Sequence, residues 1–266
     1  MSLLFQIFLI CCLISAIGFI KLIYFITYGY GYSIAGIGLF LLLSQNGLTI
    51  EEIILGMLYI TYGLRLSLFL LIRNKKSPSY IEKVKHSTKN TEDIKFFTRI
   101  MIWLSTSLLY ACQTSPLVYR TISNKKEKEN KILLYISIII SIIGLIIEGL
   151  ADNQKSEAKK INPKRFVDTG LYKIVRCPNY FGEIIFWTGN FISGFNVYVG
   201  FSQWFITFLG YAGIVFVMFS GARRIEINQN QFYGKDEKYK EYVKKTPILI
   251  PFLPLYSVEK YSWLTA

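Results

Sequence analysis

Histidine is almost absent from this chain and acids are scarce: His86 stands alone, and 17 Asp or Glu face 30 Lys or Arg in 266 residues. A single histidine, set in a polar loop among lysines, removes His-based triads, dyads and metal sites from the candidate chemistry. The four cysteines, Cys11, Cys12, Cys112 and Cys177, have no metal-ligand spacing, and three fall inside apolar runs, so they read as small packing residues. No acid occurs before Glu51. No basic residue precedes the first apolar run either; Lys21 follows it, the reverse of signal-peptide order, and residues 3–27 are therefore expected to form a first helix.

What is present is apolar material in long blocks, with 52% of residues hydrophobic and 16% aromatic. Runs long enough to cross roughly 30 Å of hydrocarbon recur near 3–27, 52–72, 99–118, 132–150 and 202–221, with shorter ones at 31–44 and 180–195. The expected fold class is an all-α polytopic membrane protein of about seven transmembrane helices. The net charge of +13 could point to nucleic acid, but the Lys and Arg residues alternate with apolar runs instead of lining one face. They fit cytosolic loops under the positive-inside rule, so membrane lipid, and neither nucleic acid nor an obligate protein, is the expected partner. The loop 73–99, with eight Lys or Arg, marks the cytosolic side. Strict alternation then turns the N-terminus away from the cytosol and leaves the C-terminus in it, with the basic turn 120–131 as a local exception.

Polar groups inside the runs carry the candidate chemistry. Thr49 with Glu51 and Glu52 reads as a helix N-cap with acids in the first turn. Tyr62 and Arg65 lie one turn apart on one face; Arg65 either snorkels toward the surface or meets an anionic ligand or buried carboxylate. Tyr110 and Gln113 share a side of the next helix, expected to close at Pro116, and Gln113 either binds substrate or cross-links helices. Glu148 and Asp152 are spaced i,i+4, and Lys155 and Lys159 continue the stripe. Cys177-Pro178 signals a helix start, after which Asn179, Glu183, Trp187 and Asn190 recur at helical spacing. Each such group costs a few kcal/mol if left unpaired near the bilayer centre, so the stripe reads as a functional pocket.

The segments Glu148-Gly149-Leu150-Ala151-Asp152-Asn153-Gln154-Lys155, Asp168-Thr169-Gly170-Leu171-Tyr172 and Arg176-Cys177-Pro178-Asn179-Tyr180-Phe181-Gly182-Glu183, with the closing Ile250-Pro251-Phe252, closely resemble the steroid 5-alpha-reductase C-terminal-like family, also called DUF1295. The resemblance is strong across 145–255 and weaker across 55–118, where Tyr62 and Arg65 look like the Tyr-x-x-Arg of steroid reductases and Gln113 and Pro116 look like family positions.

The resemblance implies one membrane domain over 1–266, with substrate-side helices in 1–130 and a cofactor-binding half in 131–266 that opens to the cytosol. It implies an oxidoreductase that moves hydride from NADPH to the β carbon of an α,β-unsaturated lipid, in the endoplasmic reticulum. Glu148, Asp152, Arg176, Asn179, Tyr180, Glu183 and Trp187 would line the dinucleotide site. Tyr62 would be catalytic, donating to the substrate carbonyl, and Arg65 and Gln113 would contact substrate.

Two departures are visible. The usual Arg-His-Pro reads Arg176-Cys177-Pro178, which weakens a related reading as an S-adenosylmethionine-dependent methyltransferase of the isoprenylcysteine carboxyl methyltransferase type. The second-helix glutamate of steroid reductases has no counterpart, which points away from a steroid and toward a different enone or enoyl lipid, or a redox activity not yet specified. A non-catalytic membrane scaffold is the remaining alternative.

Overall fold

A computed structural model describes residues 2–76, 81, 94–124 and 131–264. His86, most of the basic loop 73–99 and most of the turn 124–131 therefore lie outside the described residues. Among those described, the chain is helical with no strand. The α-helices are α1 (Leu3–Ser15), α2 (Tyr28–Ser44), α3 (Ile50–Lys76), α4 (Phe96–Thr121), α5 (Ile132–Ile161), α6 (Pro178–Ser193), α7 (Gly200–Tyr233) and α8 (Glu237–Lys245).

Among the described residues, four helices are long and apolar enough to cross a membrane: Leu22–Ser44, Ile50–Lys75, Ile132–Ile161 and Gly200–Tyr233. Their most apolar windows are buried only to between 33% and 56%. Apolar surface left open to that extent is what lipid covers in a membrane protein and what a water-soluble fold hides.

The expected first helix over 3–27 is broken. α1 has 13 residues, about 20 Å, and gives way to short 3-10 turns at Ala16–Phe19 and Leu22–Tyr24. Gly18 provides the reason: the Phe25 ring folds onto its Cα, where any side chain would collide. Hydropathy does not locate such a break, because apart from Lys21 the residues around it are apolar. The aromatic and glycine cluster 24–32 enters α2 from Tyr28 onward.

Other boundaries shift outward. α4 runs five residues past its expected end at Pro116. Proline lacks the N–H owed to the Cys112 carbonyl and crowds the turn before it; the Ser115 hydroxyl donates to that carbonyl at 2.7 Å instead. α5 and α7 extend eleven and twelve residues beyond the apolar runs that announced them (150 to 161, 221 to 233). Two expectations hold as stated. Thr49 and Glu52 form a reciprocal capping box, Thr49 N–H to Glu52 Oε2 at 2.8 Å and Glu52 N–H to Thr49 Oγ1 at 3.3 Å, and α6 begins at Pro178.

The chain divides into two compact units. The first comprises Met1–Ile138 and Asn190–Tyr211; the second comprises Ile139–Gly189 and Ala212–Ala266. In the first, α2 and α3 approach closely through paired glycines, Gly31 against Gly63 and Gly38 against Gly56, the small-residue contact by which membrane helices gain dispersion energy. In the second, Gly144 of α5 and Gly182 of α6 form a similar seam, and a Cβ at Gly182 would lie 2.6 Å from the Glu148 amide nitrogen.

Candidate functional site

The glycine contacts of the first unit bring Tyr30 of α2 against Tyr62 of α3. Their rings meet edge to face, with centroids 6.0 Å apart, and the Tyr62 hydroxyl donates to the Tyr30 oxygen at 3.0 Å. The Gln113 amide donates to the same oxygen at 2.9 Å. Tyr30, Tyr62 and Gln113 are all buried. Two residues singled out in the sequence, Tyr62 and Gln113, thus converge on a third that was not. Hydroxyl protons rotate to suit their partners, so this chain of donors can also run from Gln113 through Tyr30 to Tyr62 and leave the Tyr62 proton for another acceptor. Arg65 stands one turn along α3 and is half-buried.

Asn190 departs from the expected stripe. Its Nδ2 donates to the Gln113 carbonyl at 2.9 Å, and its Oδ1 accepts from the Tyr59 hydroxyl at 2.5 Å. Pro116 explains this use, because its ring disturbs the helix turn in which the Gln113 carbonyl lies. Tyr59 also reaches the Thr114 carbonyl at 3.4 Å. Asn190 is a bundle cross-link.

In the second unit, the Gly144/Gly182 seam sets the turn carrying Glu148 beside the turn carrying Glu183. Ser141 extends the seam by donating to the Phe186 carbonyl at 3.1 Å. Glu148, Asp152, Glu183 and Trp187 are buried, whereas Asn179 and Tyr180 are half-buried. The Tyr180 ring lies over Gly221 of α7.

The loop after α5 is fastened to the same helix end. Gln154 Oε1 accepts from the Leu171 amide at 2.9 Å, against Gly170 in a left-handed conformation (φ 60°). Tyr172 donates to the Ala151 carbonyl at 3.3 Å and accepts at its own carbonyl from the Tyr242 hydroxyl at 2.6 Å. Burial, reinforced by the nearby charge of Asp152, pushes the Tyr172 phenol well above its ordinary range.

Arg176 is engaged inside the protein. It pairs with Glu226 at 2.7 Å, both side chains almost wholly buried, and donates to the Tyr256 carbonyl. The second Glu226 oxygen accepts from the amides of Val258 and Glu259 at 2.8 and 3.0 Å. The Arg176 and Cys177 amides donate to the carbonyls of Pro247 and Ile248 at 2.9 and 3.0 Å, so one short stretch fastens the C-terminal tail to the start of α6. Cys177 sits beneath that tail with Ala222, Ile248, Leu249, Val258 and Leu264. Burial pushes its thiol up to about 11, so at neutral pH it is a packing group and not a nucleophile.

Sequence reasoning missed Tyr30, Tyr59 and Glu226. The first had a signal: Gly31 and Gly38 in α2, and Gly56 and Gly63 in α3, share a seven-residue spacing that marks one face on each helix. Glu226 had none, since its partners lie 50 and 32 residues away along the chain.

Among the described residues, no group of three or more His, Cys, Asp or Glu is arranged to hold a metal ion. No curated protein and no solved structure matches the chain. The family model described as "Protein of unknown function (DUF1295)" matches residues 16–246, most of the sequence, and the chain belongs to that family.

Proposed function

We propose that this protein is a membrane-embedded, NADPH-dependent reductase acting on the conjugated double bond of an enone or enoyl lipid. One observation carries the reading. Three carboxylates, Glu148, Asp152 and Glu183, are buried on the glycine-seamed helix pair of the second unit, where charge is costly unless paired or hydrogen-bonded and where such groups mark binding or catalytic sites.

The residues present suit a dinucleotide. Carboxylates accept from ribose hydroxyls and from a carboxamide NH2; the half-exposed Asn179 both accepts and donates; Lys155 supplies positive charge beside Cys177. Arg176 Nε and Nη1 are buried without a hydrogen-bond acceptor, although the rest of that guanidinium is committed to Glu226 and Tyr256. When bound, the cofactor supplies hydride for the β carbon of the lipid. Tyr62, hydrogen-bonded to Tyr30, would donate to the carbonyl oxygen on which charge develops, and Gln113 would hold Tyr30 in place. Water delivers the proton that completes reduction at the α carbon.

The finer topology belongs to the same proposal. The shorter apolar segment Leu3–Phe19, with α4 and α6, would add three crossings to the four long apolar helices, which makes seven, with the dinucleotide site and the C-terminus on the cytosolic side of the endoplasmic reticulum membrane. The burial of Cys177 in a packed core, where related methyltransferases are expected to carry histidine, supports the reductase reading over the S-adenosylmethionine one.

Thermal unfolding of the detergent-purified protein, titrated with NADPH, NADP and S-adenosylmethionine, tests the proposal, because a ligand that binds only the folded state raises its stability. NADPH and NADP should raise Tm, and Glu183→Gln should abolish that rise while the variant still purifies folded. A rise with S-adenosylmethionine alone would overturn the reading.

A further inference from the structure

Phe252 is wholly exposed and is the single non-glycine residue at positive φ (63°) among those described. A bulky side chain is held in that conformation only when its surroundings require it. The surroundings here are a closed loop. The Ile248 amide donates to the Leu255 carbonyl at 2.9 Å, Pro251 and Pro254 flank the tip, and Ile248 itself is pinned by Cys177. The result pushes Phe252 and the half-exposed Leu253 outward.

The level of this loop along α7 can be read from its packing. The tail core that carries it rests on Phe219, Ala222 and Ile225. α7 has no charged residue from its start until Arg223, and its 34 residues extend about 50 Å, well beyond the ~30 Å of a hydrocarbon core. The border between apolar and polar surface on α7 therefore falls at the level of the tail.

Beyond the loop, the tail runs back along α7. Glu259 accepts from Arg223 and Asn230, and Trp263 stacks on the part-exposed Phe216, with centroids 6.3 Å apart. Phe216 lies seven residues, about 10 Å, on the apolar side of Arg223. Trp263 remains 66% exposed there, on an apolar face of α7. Lys260 lies over the Tyr261 ring at 5.1 Å, the arrangement of a cation and an aromatic at a headgroup layer.

We propose that the apolar tip at residues 251–254, together with Trp263, is an interfacial anchor that seats the C-terminal tail in the headgroup and upper acyl layer of the bilayer. The occupant is lipid: the patch continues the lipid-facing surface of α7. This anchor stands apart from the proposed reductase activity, and either can fail without the other.

The four native cysteines are buried, so a cysteine introduced at the surface can be labelled selectively. Phe252→Cys, Trp263→Cys and, as the aqueous reference, Lys240→Cys would each carry a small thiol-linked fluorophore. The proteins would be reconstituted in phosphatidylcholine vesicles containing lipid with a nitroxide near the headgroup. Labels at 252 and 263 should be quenched several-fold more than the label at 240, and iodide in the buffer should show the reverse order. A label at either position that follows the reference in both measurements overturns the anchor, and at 252 would assign the tip to water or to a protein partner.

Discussion

Asn190 shows how a residue correctly placed on a polar stripe can serve another purpose. Its amide satisfies the Tyr59 hydroxyl and the Gln113 carbonyl beside Pro116. Asn190→Ala leaves both groups buried without that partner, a cost of about 1–3 kcal/mol for each, so Tm should fall by several degrees. The upward shift caused by NADPH should survive. A variant with unchanged Tm that no longer responded to NADPH would return Asn190 to the cofactor site. Cys177 leads to a pH prediction. Its folded pKa of about 11 is raised by burial above the ordinary thiol value of about 8.5, so the fold favours the protonated form. That contribution is fully present below pH ~8.5 and is lost as pH rises toward about 11. Denaturation midpoints measured across this range should decline, and Cys177→Ala should decline less. Tyr239, pushed up to about 12 chiefly by burial, continues the loss at higher pH in both proteins.

At the level of elements, the sequence was informative wherever one helix declares itself and silent wherever two must meet. The capping box at Thr49 and Glu52 and the start of α6 at Pro178 are local chemistry and could be read directly. The break at Gly18 depends on Phe25 folding back, and the passage of α4 through Pro116 depends on Ser115 and Asn190. Of the candidate site, Glu148, Asp152, Glu183 and Trp187 were legible because polar groups stand out in apolar runs. Tyr30 was not, because in an aromatic-rich stretch one tyrosine resembles the next until a partner helix selects it. The fastening of the tail to α6 is the least legible element, since Arg176, which reads as a ligand residue, is held by Glu226. A buried pair of this kind is costly to break and cheaper to replace. Arg176→Met should lower stability by about 3–5 kcal/mol in a denaturant titration, and Arg176→Met with Glu226→Leu should recover much of the loss. A double variant as unstable as the single one would show that the amides of Val258 and Glu259, left without the carboxylate, matter more than the ion pair.

For the molecule as a whole, charge and hydropathy lead to one orientation, and the buried cysteines make it testable. Thirty basic residues against 17 acidic ones should gather on the cytosolic side, because translocating Lys and Arg opposes the insertion bias. The seven crossings proposed above would put the loop between α2 and α3 and helix α8 in different compartments, which labelling can test. Asn46→Cys and Lys240→Cys put one exposed thiol at each location, with Cys11, Cys12, Cys112 and Cys177 buried. In sealed microsomes, a membrane-impermeant maleimide added outside should label position 240 and spare 46 until detergent opens the vesicles. Labelling of both before detergent means that an even number of crossings separates the two positions. Protection of 240 with labelling of 46 inverts the orientation and moves Glu148, Asp152 and Glu183 away from the compartment that supplies NADPH. The experiment therefore bears on chemistry as well as topology: a soluble dinucleotide can serve this site only if the end of α5 and the start of α6 face the same compartment as α8, which the contact between Tyr242 of α8 and Tyr172 requires of any arrangement that keeps the second unit intact.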